Sequence, residues 1–203
     1  MSRSRAPLTT GGRQAGIFVI TGPSGVGKGT LIAALRQRHP GLGLSISATT
    51  RAPRAGEEDG VAYHFLSDEE FDRRLAAGEF VEHASYAGHR YGTLRAELEP
   101  RRSGGDPVVL EIEVQGARQV RDAIPSATLV FIAPPSLEVL RRRLEDRATD
   151  APATIAKRLE VAQEELAARS EFQHVIVNDQ LDAAVDALEE IYLRACPPTA
   201  PSR

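Results

Sequence analysis

The sequence predicts an α/β fold: a mainly parallel sheet with helices on both faces, interrupted by a small mixed insert. Three observations predict it. Short apolar runs rich in β-branched residues recur along the chain, bounded by glycine, proline or polar residues. Segments with apolar residues at helical spacing follow most of them, the alternation that builds parallel sheets. That alternation breaks between about residues 48 and 93, where two strand-like runs flank Ala87-Gly88.

GIFVIT (16–21) reads as the first buried strand, and Leu31, Ile32 and Leu35 put a helix over 30–38. A strand over 43–47, a polar loop over 48–60 and a strand over 61–65 come next. Ser67 followed three residues on by Glu70 is a capping-box pattern that starts a helix over 67–77. Residues 80–86 and 88–92 form a hairpin. PVVLEIEV (107–114) and ATLVFIA (127–133) are strongly apolar strands, the second ended by Pro134-Pro135. Helices follow over 136–147 and 152–170, then the strand HVIV (174–177) and a helix over 181–194. Residues 1–15 and 197–203 read as flexible tails.

At 203 residues the chain has room for one substantial core and not for two ordinary domains. With 41% hydrophobic and 26% charged residues it has the composition of a soluble globular protein. No run approaches the roughly 20 apolar residues of a membrane span, and the N-terminal segment lacks the apolar core of a secretory signal. A net charge of −3 argues against a dedicated nucleic-acid binder. The single cysteine, Cys196, suits a reducing cytoplasm.

Between the first strand and first helix stands Gly22-Pro23-Ser24-Gly25-Val26-Gly27-Lys28-Gly29-Thr30, the pattern G-x-x-x-x-G-K in the context such a phosphate loop needs. Its glycines let successive N–H groups converge on one point, the helix N-terminus adds its positive end, and Lys28 supplies a cation for the outer phosphates. The fold class is accordingly of the P-loop NTPase type. The usual Ser or Thr directly after the lysine is here Gly29, followed by Thr30. A GKGT ending is similar to that of adenylate kinases and points toward monophosphate kinases, while leaving the magnesium ligand open.

In the insert, Arg51 and Arg54 stand three apart in a loop with proline and glycine, a pairing suited to a dianionic phosphate. On that segment alone a solvated basic loop is an equal reading. Taken in order, TTRAPRAGE, Tyr63, GEFVEHASYAGHRYGT and LEIEVQGARQV resemble the guanylate kinase family, and the resemblance runs from about Ile17 to Leu193. It implies ATP and GMP (or dGMP) as substrates and magnesium as cofactor. Arg51, Arg54, Tyr63 and Tyr91 match the positions that hold the GMP phosphate, and Ser47, Glu82 and Thr93 those that read guanine. A carboxylate at Glu82 can accept from the guanine ring N–H and amino group, and hydroxyls can serve its carbonyl. Adenine would leave that carboxylate unpaired.

Glu111 and Glu113, two apart on the strand expected over 107–114, should share one side of the sheet at its carboxyl end. Both match family positions that are commonly aspartate. The match implies Glu113 near GMP and Glu111, with Thr30, near the magnesium; arginine-paired carboxylates at a strand end remain the alternative. In the segment 141–158 the resemblance implies a lid whose Arg143, Arg147 and Arg158 cover the ATP phosphates. The glycines that often flank the middle arginine are missing, which predicts a stiffer lid. Arg141 and Arg142 read as solvated, and Leu140, Leu144, Ile155, Leu159 and Leu166 as core. Asn178 matches a position near the adenine. None of the five histidines has ligand spacing.

The organisation expected is a core of 16–47, 94–140 and 161–196, a GMP-binding subdomain of 48–93 and a lid of 141–160. Two rivals stand beside a guanylate kinase: a kinase of another phosphate acceptor, against which Ser47, Glu82 and Thr93 speak, and a non-catalytic binding module, against which Lys28 speaks. Oligomeric state, regulation and the choice between ATP and dATP are not legible.

Overall fold

The structure, a computed structural model, describes residues 16–86, 88–146 and 152–196. The chain opens with β1 (Ile17–Thr21), α1 (Lys28–Arg38) and β2 (Gly43–Leu44). The insert holds β3 (Ala48–Thr49), β4 (His64–Phe65), α2 (Asp68–Ala76) and the hairpin of β5 (Phe80–Tyr86) and β6 (His89–Leu94). Then come α3 (Arg95–Gly104), β7 (Val108–Glu111), α4 (Val114–Ala123) and β8 (Thr128–Ala133). The last elements are α5 (Leu137–Glu145), α6 (Pro152–Ala167), a 3-10 turn (Ala168–Glu171), β9 (His174–Val177) and α7 (Leu181–Ala195).

Five parallel strands in the order β2-β7-β1-β8-β9 make the main sheet. All of β1 is buried, as its unbroken apolar run requires of a strand covered on both faces. Its side chains alternate between two cores. Ile17 and Val19 join Val114, Ala117 and Val120 of α4 on one face. Phe18 and Ile20 join Leu31, Ile32 and Leu35 of α1 and Val185 and Leu188 of α7 on the other.

The insert is a second, mixed sheet in the order β4-β3-β6-β5, with its own small core of Ala48, Phe71, Phe80 and Leu94. The helix of the insert starts where its capping signal lies: Ser67 Oγ accepts the Glu70 N–H at 3.2 Å. The Glu70 carboxylate turns instead to Arg73 and Arg74, so only half of the capping box forms. Among the described residues no helix is long and apolar enough to cross a membrane.

Three readings are corrected. The strand expected over 43–47 pairs only at Gly43–Leu44, because the chain leaves the main sheet there to build β3 within the expected loop. The strand expected over 107–114 ends at Glu111; Val114 already opens α4, so Glu113 stands at a helix N-terminus and not on the strand. Helix α3 lies outside the elements the sequence predicts, since it contains Pro100 and, among the described residues, its one buried side chain is Leu98.

Candidate active site

The phosphate loop joins β1 to α1 at the carboxyl end of the central strand, where open α/β sheets bind ligands. Gly22 has φ 137° and its α-carbon faces the Ile132 carbonyl, so a Cβ there would collide with backbone. Gly27 has φ 96°, and a Cβ would stand 2.6 Å from Asn178 Nδ2. Lys28 Nζ donates to the carbonyls of Gly22 at 2.7 Å and Pro23 at 3.2 Å, which folds its charge over the loop. From outside, Asn178 Nδ2 donates to the Val26 carbonyl at 2.8 Å, and Arg143 Nη2 donates to the Asn178 carbonyl at 2.9 Å. Asn178 is buried, so its amide nitrogen is committed to the loop.

Glu111, the last residue of β7, lies beside Ile20 in register, at the root of the loop. Its Oε2 and Oε1 are 3.7 and 4.0 Å from the place a Cβ would take at Gly29. The bare Gly29 thus leaves the carboxylate against the first turn of α1, and Thr30 beside it is exposed. One hard oxygen donor of this kind fits magnesium, which takes most of its ligands from phosphates and water.

The three residues expected to read guanine converge. In the hairpin, Phe80 pairs with Leu94, but a bulge at Val81 shifts the register so that Glu82 opposes Thr93. Without it Glu82 would oppose Gly92. Ordinary strand alternation sends Phe80 into the core of the insert and Val81 into that of the main sheet. Thr93 Oγ1 donates to Glu82 Oε1 at 2.7 Å, and both side chains are buried. On the other side α4 presents Gly116, where any Cβ would collide with Glu82 Oε2. Burial pushes the Glu82 carboxyl up to about 7, with nearby Glu113 adding to the rise against the Thr93 bonds. Ala48 pairs with Gly92, so the next step along brings Ser47 to the Thr93 end of β6.

Of the four residues expected at the acceptor phosphate, three meet. The Arg51 guanidinium lies over the Tyr63 ring, 5.3 Å from its centroid, and Tyr63 and Tyr91 meet edge to face at 6.1 Å. Arg54 is exposed, and no described contact brings its guanidinium to that group. Sequence reasoning missed Glu57, whose two oxygens each accept from Arg51 Nη2 at 2.9 Å. The Arg54 N–H, at 2.8 Å, and then the Arg51 guanidinium hold the Glu57 carboxyl below the usual range.

Between α4, α6 and the end of β5 opens a cavity of about 550 Å³ lined by Tyr86, Glu113, Arg158 and Glu165 among others. Arg143 and Arg158 therefore occupy different places, one clamped on the phosphate loop and one in the cleft; Arg147 lies outside the described residues. Arg141 and Arg142 are exposed, while Leu140, Leu144 and Leu159 pack α5 on α6 as expected. Glu165 was also missed, its position in a charged helix resembling any solvated glutamate. Burial, against the pull of Lys28, raises its carboxyl to about 7. Burial raises Glu113 too, and Lys28 opposes the rise.

Glu113, which lines the cavity, is an electrostatic neighbour of both Glu82 and Lys28, and Glu111 is one of Tyr63, which links the phosphate loop, the buried Glu–Thr pair and the Arg–Tyr cluster. The guanylate kinase family model matches residues 14–195. The chain belongs to the guanylate kinase family. It is 57% identical over 173 residues to the guanylate kinase of Frankia casuarinae, a match covering 85% of this chain and 94% of that one. With the guanylate kinase of Gloeobacter violaceus it shares 52% over 181 residues, 89% of this chain and 88% of the relative. The crystal structure of guanylate kinase from Anaplasma phagocytophilum superposes with a TM-score of 0.75 at 32% identity, covering 92% of this chain and 89% of that one. Among guanylate kinases, then, this chain carries Glu111 and Glu113 at the exit of β7 and Gly29 after the loop lysine.

Proposed function

We propose that this chain transfers the γ-phosphoryl group of ATP to GMP, or dGMP, giving ADP and GDP. The buried Glu82–Thr93 pair carries the reading, because its carboxylate matches the ring N–H and amino donors of guanine, whereas adenine, with a lone pair on N1 and no amino group beside it, would leave that carboxylate unpaired. Guanine N1–H and its amino group donate to the ionised Glu82, and the hydroxyls of Ser47 and Thr93 serve the base alongside Glu113. Arg51, Arg54, Tyr63 and Tyr91 hold the GMP phosphate, for which Arg51 exchanges its bonds to Glu57.

On the donor side the loop from Gly22 to Thr30 takes the ATP phosphates at the positive end of α1, through the N–H groups of every residue but Pro23. Lys28 leaves the Gly22 and Pro23 carbonyls for the outer phosphates. Arg143 and Asn178 keep the loop in shape from behind. An oxygen of the GMP phosphate attacks the γ-phosphorus in line; that P–O bond forms as the bond to the bridging β-oxygen breaks, and ADP leaves. Such a transfer asks the protein for positioning and for positive charge, which Lys28, Arg147 and Arg158 supply. Magnesium bound with ATP neutralises phosphate charge, and Glu111 with Thr30 are the residues that would hold it. Segment 141–160 acts as the lid that excludes water, whose attack would waste ATP. A cytoplasmic setting, with its ATP and GMP, fits the lone Cys196.

The test is ADP release with ATP and magnesium, offering GMP, AMP, CMP and UMP in parallel. Turnover with GMP alone is expected. Turnover with another acceptor would discard the guanine-reading trio, and none with any, in folded protein, would favour a binding module.

A further inference from the structure

Residues 45–47 carry the chain from the main sheet to the insert, and each is tied to a different element. The Ser45 N–H donates to the Val109 carbonyl of β7 at 2.9 Å. The Ile46 N–H donates to Glu97 Oε2 of α3 at 3.2 Å. The Ser47 carbonyl accepts the His64 N–H of β4 at 2.9 Å. Glu97 closes the set: its Oε1 lies 2.7 Å from His64 Nε2, a bond in which the ring N–H donates. One carboxylate therefore holds both neighbours of Ser47, the residue before it in the chain and the strand residue bonded to its carbonyl. Glu97 is itself fixed, since the adjacent Leu98 is buried in the core of the main sheet. The bracket thus spans from the body of the protein to the edge of the insert.

We propose that Glu97 is a positioning residue for guanine selection, setting the Ser47 hydroxyl at the Thr93 end of β6. The inference rests on Ser47 being a reader of the base. Glu97 does not touch substrate; it acts through the backbone of Ile46 and through His64. Without it the crossing segment keeps its bonds at Ser45 and Ser47 but loses the one between them, and Ser47 is free to shift against Glu82 and Thr93. A site built on hydrogen bonds loses discrimination with small displacements. The phosphate loop has no part in this bracket, so the ATP side should not feel its loss.

The experiment measures KM for GMP and for ATP, and kcat, in Ser47→Ala, Glu97→Ala, Glu97→Gln and the double variant Ser47→Ala/Glu97→Ala. Glu97→Ala should raise KM for GMP about tenfold, the scale of one hydrogen bond to a charged group, and leave KM for ATP within about twofold. Glu97→Gln, which can still accept from Ile46 and bond the His64 ring, should restore most of the loss. In the Ser47→Ala background Glu97→Ala should add less than about twofold, since its effect runs through Ser47. Additive losses, equal rises in both KM values, or a lowered Tm with unchanged KM would each overturn the proposal. If Ser47→Ala leaves KM for GMP unchanged, the base-reading role of Ser47 fails and the proposal with it, while turnover of GMP still stands. Should Glu97→Ala not fold, His64→Phe removes the ring from Glu97 but keeps the backbone bond to Ser47. A smaller rise confined to GMP is expected of it, since the Ile46 bond to Glu97 remains, and its absence would overturn the proposal.

Discussion

The Thr93 hydroxyl and Glu82 Oε1 share a 2.7 Å hydrogen bond, with Glu82 only 4% exposed and Thr93 fully buried. Gly116 closes the space beside Oε2. A carboxyl so enclosed is costly to ionise unless a ligand brings donors to it. On the proposed reading guanine brings two, and a selectivity for guanine and a response to pH both follow from it.

Glu82→Gln keeps the shape of the side chain but replaces one acceptor by a donor that faces the guanine donors. KM for GMP should rise about 10- to 100-fold, the worth of a hydrogen bond to a charged group, with KM for ATP nearly unchanged. Steady-state kinetics with each substrate varied in turn checks it; equal losses on both sides would remove Glu82 from the base site.

On the proposed reading GMP binds to ionised Glu82, whereas the nucleotide-free carboxyl is pushed up to about 7. Binding near neutrality therefore releases a proton, and KM for GMP should climb as pH falls below about 7. The GMP phosphate also titrates near pH 6, so the comparison is with Glu82→Gln, whose profile should lack the Glu82 component. Identical profiles would count against it.

The same burial governs stability. Glu82 and Glu165 both lie at about 7 in the folded chain, against the ordinary 4.5. Between those values the native state holds more protons than the unfolded one, so stability falls as pH rises through the window. Tm measured without nucleotide should be higher at pH 5 than at pH 8, and Glu165→Gln should flatten the slope. A Tm that climbs across that range contradicts it. The lowered carboxyl of Glu70, at about 2, acts only below the window.

Lys28→Ala removes the cation that lies over the loop carbonyls. Turnover should drop by at least about 10²-fold while Tm moves little, because the lysine serves the transferring group and not the core. Full activity in this variant would sink the mechanism.

Gly22→Ala tests the loop itself. Its φ of 137° is strained for any L residue, and the new Cβ meets the Ile132 carbonyl, which the sheet does not let move. A cost of about 2 kcal/mol or more should lower Tm by about 5 °C or more in a chain of this size. An unchanged Tm would mean that β8 yields more readily than its pairing suggests.

The parts whose residues are contiguous are legible in the chain alone. A buried strand, a glycine turn, a lysine and a helix follow one another within 16–38, so the phosphate loop is visible as a string. The strand–helix alternation, the helix cap at Ser67 and the hairpin around Gly88 are equally local. The features that emerge only on folding lie between segments far apart in the chain. The bulge at Val81 chooses Thr93 and not Gly92 as the partner of Glu82, and alternation alone cannot reveal an inserted residue. Gly116 matters only because α4 packs on that strand, Glu165 only because α6 turns it toward Lys28, and Glu97 only because α3 passes beneath Ile46. Glu113 left the expected strand because α4 begins immediately after it. The reason is shared. A carboxylate's burial, and so its proton affinity and its partner, is set by which distant surfaces close over it, and spacing along the chain does not encode that closure.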